Sequence, residues 1–356
     1  MNNRDYVIAP EWINRSKPNL LLTSAGRRSY LIKFFKDAMN AQGEVHALNS
    51  DCYSAALEVA DKGTISPLIY SDKYIPFLLD YCKQNGIGAI IPLFDVDIPV
   101  LAKNKEKFLQ IGCFPLVPNK EQADLCNDKL KTSSYLKEND LPALKTYSSL
   151  EKCLKAVNAG EIVFPIVVKP RWGMGSVGVF VANNEDELRS LFKIVINNIK
   201  DSYLKYETDF DEAVIFQEFA KGQEFGLDII NDLEGNFKSV VVKKKIKMRA
   251  GETDCAEVIE VNADFLHLAV KLSNLVRHPG NMDVDVILYR DRLYVLEMNP
   301  RFGGGYLFSH VCGVDLPKAI YLWLQNKAVE QRLLLPSKYG VFQKDIGIIE
   351  LKTCIK

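Results

Sequence analysis

The chain has 356 residues, of which 47% are hydrophobic and 25% charged, and its 45 basic residues balance its 45 acidic ones. This length predicts two or three domains, and this composition is ordinary for a soluble enzyme. Because no net charge attracts polyanions, the balance argues against nucleic acid or an anionic membrane as a partner.

Eight cysteines occur without a C-x-x-C motif and without a histidine at metal-ligand spacing, so we expect reduced thiols. No apolar stretch reaches the length of a membrane span. Residues 1–18, interpreted as an N-terminal extension, lack the apolar centre of a signal peptide. We therefore expect a cytoplasmic protein without a membrane partner.

Residues 19–120 alternate between short apolar runs and stretches with helical periodicity. The runs "NLLLT", "EVHAL" and "IGAIIPLF" predict strands, and "YLIKFFKDAMN", "YIPFLLDYCKQNG" and "VDIPVLAKNKEKFLQIG" predict helices. Gly86 and Gly112 are expected to end the last two helices. Strands that alternate with helices at this spacing predict a parallel, doubly wound, Rossmann-like sheet.

The first strand-to-helix turn, "TSAGRRS", contains only Gly26, whereas a dinucleotide site needs several glycines here. Asp51 ends the second strand, where an acidic residue would hold a ribose. Without the glycines we interpret it as a cap or a substrate contact. Arg27 and Arg28 at the helix start indicate either an anionic group on the substrate or a surface pair of salt bridges.

Residues 121–330 are predicted to form a second, α+β module with a lid at about 143–215. Its later part contains the predicted strands "DVDVILYR" and "RLYVLEMNP", preceded by the helix "NADFLHLAVKLSNLVRH". Residues 331–356 are expected to add a strand that packs on this module.

Helix signals divide the earlier part of this module. One helix is expected to end near Pro142. Ser148 and Glu151 fit a capping box that begins the next helix, which Gly160 ends, and a further helix is expected from about residue 185 to 199.

The segment "VVKPRWGMGSVGVFV" contains the pattern G-x-G-x-x-G at Gly173, Gly175 and Gly178. A nicotinamide site would need a helix directly after the glycines, but both flanks have the character of strands. A glycine-rich hairpin loop can place its N–H groups over the phosphates of a nucleotide. A plain flexible hairpin tip is the alternative.

The last two predicted strands carry acidic and amide side chains at alternate positions. Asp283 and Asp285 share one face, as do Glu297 and Asn299, and a tight turn at "YRDR" would bring the two pairs together. Oxygen ligands that converge in this way suit Mg²⁺; alternating acids on an exposed sheet are the other reading. Arg301 follows, either to neutralise a transferring phosphoryl group or to form a salt bridge with one of the acids.

Six segments in this order resemble the ATP-grasp ligases, especially the branch of the carbamoyl-phosphate synthetase large chain and the amino-acid ligases. The segments are "NDKLKTSSYLKENDLP", "VVKPRWGMGSVGV", "QEFAKGQEFGLDI", "RAGET", "GNMDVDV" and "LEMNPRFGGG". The resemblance runs from about Asn19 to Gln325. It implies an α/β fold of ATP-grasp architecture, with a Rossmann-like N-terminal domain, an α+β lid and a larger α+β domain.

The resemblance also implies an ATP site. Lys129 and Lys169 would hold the phosphates, with Lys169 also near the adenine. Glu218 and Phe219 would form the hinge beside the adenine, and Glu224 would contact the ribose. The residues implied to form a loop over the phosphates are Gly173, Gly175, Ser176 and Gly178.

The remaining implied site residues concern metal and catalysis. Asp285, Glu297 and Asn299 match the metal positions, although many relatives carry Gln or Glu in place of Asp285. Arg301 matches an arginine that meets the γ-phosphate and the acyl phosphate. Arg249 stands where relatives place a basic group near phosphate or substrate.

The function implied is an ATP-dependent ligase with Mg²⁺ or Mn²⁺ as cofactor. It would activate a small carboxylate as an acyl phosphate and join it to an amine or ammonia. The alternatives are bicarbonate or carbamate phosphorylation, as in carbamoyl-phosphate synthetase, and a nucleotide-binding protein without turnover. We expect small-molecule partners and a homodimer, with specificity from Arg27, Arg28, Asp95 and Asp97.

Overall fold

The computed structural model describes residues 17–173, 178–206 and 212–352. Three β-sheets and the helices packed on them organise this part of the chain. No helix within these ranges is long and apolar enough to cross a membrane.

The N-terminal sheet consists of β1 (Asn19–Thr23), β2 (Val45–Asn49), β3 (Lys62–Ile65), β4 (Ile87–Pro92) and β5 (Phe114–Pro115). All pairs are parallel, in the order β3-β2-β1-β4-β5. Leu20, Leu21 and Leu22 of the central strand β1 have no exposed surface, as expected for a parallel sheet covered on both faces. The predicted doubly wound domain is therefore confirmed.

The helices of this domain are α1 (Ser29–Met39), α2 (Ala55–Val59), α3 (Tyr74–Gln84), α4 (Asp97–Lys103) and α5 (Lys105–Gln110). The short elements α2 and β3 were missing from the prediction because four or five residues carry too little periodicity. The single helix predicted over "VDIPVLAKNKEKFLQIG" is wrong, since Asn104 ends α4 and precedes α5. The Asn104 side chain donates to the Val100 carbonyl at 2.9 Å and competes with helix continuation.

The connection to the second module is formed by α6 (Lys120–Asn127) and α7 (Lys129–Glu138), where one continuous helix was predicted. Asp128 separates them in an extended conformation, with φ −109° and ψ 102°. Its carboxylate accepts hydrogen bonds from the N–H groups of Leu130 and Lys131, which makes it the N-cap of α7. Lys129 is consequently the first residue of α7.

A second sheet, the lid sheet, contains β6 (Thr146–Tyr147), β7 (Ile166–Pro170), β8 (Phe180–Ala182) and β9 (Val214–Glu218). Its strands pair antiparallel in the order β6-β9-β7-β8, and α8 (Leu150–Asn158) and α9 (Glu185–Lys200) cover one face. The predicted hairpin around the glycine loop is thus present. The N-cap of α8 is Ser149, which accepts from the Lys152 N–H at 3.2 Å, and not Ser148.

The third sheet, the main sheet, contains β10 (Gln223–Asn231), β11 (Phe237–Arg249), β12 (Glu252–Ile259), β13 (Gly280–Tyr289), β14 (Arg292–Asn299) and β15 (Gly340–Gln343). Its antiparallel order is β14-β13-β10-β11-β12-β15. The helix α10 (Ala263–Val276) packs on one face through a large apolar core. On the other face lie α11 (Tyr306–Val311) and α12 (Leu316–Leu324), and α12 also contacts α1 of the N-terminal domain.

The strands β13 and β14 form the predicted antiparallel hairpin. Arg290 and Asp291 have positive φ values of 48° and 58°, as in a type I′ turn. A regular ladder from this turn would pair Asp285 with Leu296. A β-bulge at Leu296 shifts the register, so that Asp285 pairs with Glu297 instead. The predicted meeting of the two acids therefore depends on a bulge that was not predicted.

Gly222, just before β10, closely approaches the end of β13. A Cβ here would lie 2.0 Å from the carbonyl oxygen of Leu288. We expect Gly222→Ala to lower the free energy of unfolding by about 1–3 kcal/mol, the usual cost of overpacking. Gly347→Ala, with nothing within 4 Å of the added Cβ, is the control and should change it little. Urea denaturation measures both, and equal stabilities would contradict the close approach.

Candidate active site

A cavity of about 360 Å³ lies between the lid sheet and the main sheet. Its walls combine cavity-facing side chains of β7 and β9 with those of β10, β11, β13 and β14. Side chains alternate between the two faces of a strand. One face of these strands therefore lines the cavity, and the opposite face packs into the apolar cores. Most of the site residues named from the sequence meet in this cavity.

Lys169, on β7, is one of two lysines on the lid side of the cavity. It is buried, and its Nζ donates to Oε1 of Gln217 on β9 at 2.8 Å. Gln217 is held in turn by its Nε2, which donates to Thr146 Oγ1 at 2.9 Å. Burial, together with the positive charge of Lys129, lowers the pKa of Lys169 to about 8. Gln217, which was not predicted from the sequence, is the orienting partner of this lysine.

Lys129 is the second lysine, and its position depends on Asp128. Arg171, at the end of β7, donates from Nε and Nη2 to the two carboxylate oxygens of Asp128, each at 2.8 Å. This bidentate pair joins the base of the glycine loop to the start of α7. The Lys129 Nζ donates to the Gly173 carbonyl and lies 3.6 Å from Glu297. Asp128 and Arg171 thus position Lys129, a role that was not predicted.

The glycine loop is described only at its two ends. Gly173 lines the cavity with φ +97°, and Gly178 has φ +72°, so both occupy backbone conformations that favour glycine. A Cβ on Gly178 would lie 3.2 Å from Pro170. Gly175 and Ser176 lie outside the described residues.

The predicted hinge residues Glu218 and Phe219 line the cavity at the end of β9. The Glu218 N–H donates to the Lys145 carbonyl at 2.9 Å, which fixes this end of the strand. Glu224, on β10, also lines the cavity, and its carboxylate lies 3.6 Å from the Lys245 Nζ. All three predicted residues therefore border the same space as Lys169.

The acid hairpin supplies the opposite wall. Asp285 and Glu297 are cross-strand partners, and both line the cavity with Asn299. Burial raises the pKa of Glu297, the charge of Lys129 opposes that rise, and the negative charges of Asp95 and Asp285 add to it. With its amide nitrogen turned towards them, Asn299 donates to Asp95 and Glu297, each at 3.3 Å.

The donor atoms of Asp285, Glu297 and Asn299 suit a divalent metal ion. Two carboxylates and an amide oxygen match the hard oxygen ligands of Mg²⁺, which keeps several waters or phosphate oxygens in its shell. No group of three or more His, Cys, Asp or Glu suited to a metal occurs in the described part of the chain. The set therefore fits an ion that is shared with a ligand, and it does not form an all-protein cage.

Arg301 was predicted either to neutralise a phosphoryl group or to form a salt bridge with one of the acids. It forms salt bridges, and it also lines the cavity. Its Nε and Nη2 donate to the Asp95 carboxylate at 2.7 and 3.1 Å, and its Nη1 donates to Asp283 at 3.0 Å. Burial alone would lower the pKa of Arg301, but Asp95 and Asp283 raise it. The guanidinium is a fixed, permanent positive charge beside the acid hairpin.

Two lysines of β11, which were not predicted as site residues, form the cavity floor. Lys243 lies 2.6 Å from Asp228, and Lys245 lies 2.8 Å from Asp285. Their alternate spacing in "VVKKKIK" is the signal that predicts a shared face. Gly226 lies between them, where a Cβ would stand 3.6 Å from the Lys243 side chain.

Other predicted residues lie elsewhere. Arg249 is exposed at the end of β11 and is absent from the described lining of the cavity. Asp97 is fully buried and accepts hydrogen bonds from Thr23 and Tyr74 at 2.9 and 2.7 Å, so its role is structural. Asp51 accepts from the Tyr53 N–H at 2.9 Å and stabilises a turn.

A cavity between an antiparallel lid and an antiparallel main sheet, with lysines on both sheets and carboxylates on the main sheet, defines a nucleotide-dependent enzyme of the ATP-grasp class. Residues 126–305 match the family model described as ATP-grasp domain, and residues 20–116 match the model described as PylC-like, N-terminal domain. The first model covers just over half of the 356 residues, and the chain belongs to the ATP-grasp family.

The relatives found by sequence are larger proteins. The carbamoyl phosphate synthase large chain of Lachnoclostridium phytofermentans is 22% identical over 265 residues, which is 71% of this chain and 23% of that protein. The chain thus spans about a quarter of the length of the curated relatives that it matches.

Solved structures share the fold. Biotin carboxylase from Campylobacter jejuni superposes with a TM-score of 0.72 at 16% identity, covering 91% of this chain and 74% of that one. The L-amino acid ligase from Bacillus licheniformis superposes with a TM-score of 0.71 at 17% identity, covering 92% and 80%. The predicted ATP-grasp architecture is confirmed.

Lys129→Met should raise the pKa of Lys169, because it removes a positive charge that lowers it. In the unmodified protein Lys169 should titrate near pH 8, so that it is mostly charged at pH 7 and mostly neutral at pH 9. NMR titration after ¹³C-methylation of lysines measures this pKa, with Lys169→Arg to assign the signal. Lys193→Met, at an exposed position, is the control. An unchanged pKa in Lys129→Met would refute the proposed coupling.

Proposed function

We propose that the protein is an ATP-dependent ligase that phosphorylates a small carboxylate and joins the acyl phosphate to an amine or ammonia, with release of ADP and phosphate. One observation carries this proposal. Two lysines and the base of the glycine loop face the paired acids Asp285 and Glu297 across one cavity, with Arg301 beside them. That arrangement matches the charges of a transferring phosphoryl group and its counter-ions.

In this proposal the lid side binds the nucleotide. Lys129 and Lys169 would contact the phosphates, Glu218 and Phe219 would border the base, and Glu224 would lie near the ribose. The pKa of Lys169, lowered to about 8, supports the assignment. A phosphate oxyanion bound beside Lys169 would stabilise the charged form of this lysine, which otherwise loses its proton easily. Gln217 keeps the Lys169 side chain directed into the cavity.

The acid hairpin would hold the metal. Asp285, Glu297 and Asn299 supply the oxygen ligands for Mg²⁺ or Mn²⁺, which would neutralise charge on the phosphates when bound. Lys129 and Lys245 lie 3.6 and 2.8 Å from the two carboxylates and balance their charge within the protein. The metal roles remain a proposal that rests on donor chemistry and register.

Arg301 would stabilise charge without moving. Nε and Nη2 are committed to Asp95, and Nη1 to Asp283, so only part of the guanidinium can donate to a substrate. Its contribution is a preorganised positive charge next to the carboxylate that becomes an acyl phosphate. Arg249, which is exposed, remains a prediction without support from the cavity.

A second candidate, phosphorylation of bicarbonate, is favoured only by the similarity to carbamoyl phosphate synthase large chains. This chain matches about a quarter of such a protein, so the whole activity does not transfer with the similarity. Bicarbonate therefore belongs in the substrate screen as one member. The homodimer, the cytoplasmic location and the small-molecule carboxylate and amine partners remain predictions.

The mechanism predicts the fate of a carboxylate oxygen. A panel of acids, including bicarbonate, is screened with amines for ADP release, and the active acid is then labelled with ¹⁸O. We expect the label in the released phosphate, because the bridging oxygen of an acyl phosphate leaves with phosphorus. Unlabelled phosphate, or formation of AMP and pyrophosphate, would contradict the proposal.

Glu297→Gln should abolish this turnover, since the amide keeps the shape of the side chain and removes a charged metal ligand. Glu260→Gln, at an exposed position after β12, is the matched control and should retain activity. Thermal unfolding and circular dichroism verify that both variants are folded. Normal turnover of Glu297→Gln at saturating Mg²⁺ would remove the acid hairpin from the mechanism.

Arg301→Lys should lower kcat by roughly two to three orders of magnitude, the usual scale for the loss of one preorganised donor. The affinity for ATP should change much less, because the lid lysines are untouched. The introduced lysine keeps a positive charge beside Asp95 and Asp283. Arg301→Lys should therefore lose less stability than Arg301→Ala, which would leave both carboxylates without a partner. A fall in ATP affinity equal to the fall in kcat would show that Arg301 acts on nucleotide binding instead.

A further inference from the structure

Two pairs of aromatic rings join the lid to the N-terminal domain. Tyr203 and Tyr206 lie on a short 3₁₀ helix, Tyr203–Tyr206, that follows α9 of the lid. The Tyr203 ring meets the Phe94 ring edge to face, with the centroids 5.3 Å apart, and the Tyr206 ring meets the Tyr70 ring at 4.8 Å. Phe94 and Tyr70 belong to the N-terminal domain, where they follow β4 and β3.

We propose that these two ring pairs form a latch that holds the lid in its nucleotide-binding position. Phe94 and Tyr203 are then positioning residues, since neither is among the residues that line the cavity. This inference rests on the proposed function for the identity of the ligand, a nucleotide. It adds that the affinity for this nucleotide depends on a contact outside the cavity.

Both sides of the latch are anchored in ordered parts of the fold. The Phe94 carbonyl accepts a hydrogen bond from the Asp97 N–H at 3.1 Å, which fixes the turn between β4 and α4. On the lid side, Leu204 is buried in the lid core, and Tyr203 packs against the same core. Each ring therefore moves with its own domain, and the contact between the rings depends on how the two domains are placed.

The 3₁₀ helix also supports the base of the glycine loop. A Cβ added to Gly173 would lie 3.2 Å from both Cδ atoms of Leu204 and 3.5 Å from the hydroxyl oxygen of Tyr203. The Gly173 carbonyl accepts a hydrogen bond from Lys129 Nζ, which lies beside the acid hairpin. A row of neighbouring groups thus runs from Phe94 through Tyr203 and Gly173 to Lys129.

The latch supplies contacts that the helices and strands do not. Among the described elements, those of the lid contact chiefly one another and α7. An aromatic pair changes an equilibrium by roughly two- to tenfold. Loss of one pair should therefore shift the lid towards an undocked arrangement and leave each domain folded.

The docked arrangement is the one that places Lys169 of the lid opposite the acid hairpin in one cavity. A nucleotide that contacts both walls binds this arrangement better than an undocked one. Its apparent affinity therefore falls with the docked fraction of the protein. Weakening the latch should lower nucleotide affinity although no residue of the cavity is changed.

The pair Phe94–Tyr203 is the better target for a test. Tyr206 is 58% exposed, whereas Phe94 and Tyr203 are both half-buried, so a larger part of the ring surface is in contact with protein at this pair. Leucine at either position keeps an apolar side chain and removes the ring. Tyr203→Phe keeps the ring and removes only the hydroxyl group.

The first experiment is a double-mutant cycle on the full chain, with MgADP affinity measured by calorimetry. We expect Phe94→Leu and Tyr203→Leu each to weaken binding by roughly two- to tenfold. The combined variant should bind no more weakly than the weaker single variant, because both substitutions break the same contact. Tyr203→Phe should bind like the unmodified protein. Tyr339→Leu, at a position that is 49% exposed, is the control and should also bind normally.

The second experiment, amide hydrogen exchange without ligand, tests the latch independently of the proposed function. Phe94→Leu should speed exchange at residues 203–206, and Tyr203→Leu should speed it at residues 93–97, because each substitution releases the partner across the contact. A merely local effect would speed exchange only around the substituted residue. Tyr339→Leu should leave both segments unchanged.

Four outcomes would overturn the latch: unchanged MgADP affinity in both single leucine variants, additive losses in the combined variant, a Tyr203→Phe variant as weak as Tyr203→Leu, or exchange that rises only on the substituted side. MgADP binding without coupling between the two positions rejects the latch and keeps the nucleotide site. Reciprocal exchange effects in a protein that does not bind MgADP reject the proposed function and keep the contact between the domains.

Discussion

The buried contacts of Arg301 with Asp95 and Asp283 hold the two halves of the molecule in register. Asp95 follows β4 of the N-terminal sheet and Asp283 lies on β13 of the main sheet, so one guanidinium joins elements far apart in sequence. Removal of one partner from such a buried group costs roughly 3–5 kcal/mol, because a charge is left uncompensated. The same contact that fixes the domains also fixes a positive charge in the cavity.

Charge compensation extends from that contact through the rest of the cavity. Glu297 has Lys129 within 3.6 Å, and Asp285 has Lys245 within 2.8 Å. Burial raises the pKa of Glu297, the charges of Asp95 and Asp285 add to that rise, and the charge of Lys129 opposes it. The lysines therefore allow the hairpin to present two acids side by side, which is what a shared metal and phosphate site requires.

The sequence predicted the local elements of the site better than their junctions. The alternation of Asp285, Glu297 and Asn299 identified the strands, yet the turn alone would have placed Glu297 opposite Val284, and only the bulge at Leu296 corrects this. No local pattern signals such an extra residue. Asp95 and Arg301 are 206 positions apart, so their contact was also beyond the reach of periodicity. Asp128 was missed because an N-cap inside one long periodic stretch resembles an ordinary polar position.

Arg27 and Arg28 show why specificity is the part of function that sequence alone resolves least. Successive residues around a helix N-terminus point in different directions, so one side chain faces solvent and the next faces the cavity. Which of them faces inward depends on how the N-terminal sheet docks against the main sheet, and that docking depends on Asp95 and Arg301. The residues proposed to contact the nucleotide and the metal lie within one module and were recognised from its motifs. Arg28, by contrast, belongs to the N-terminal domain and lines a cavity whose other walls come from the second module.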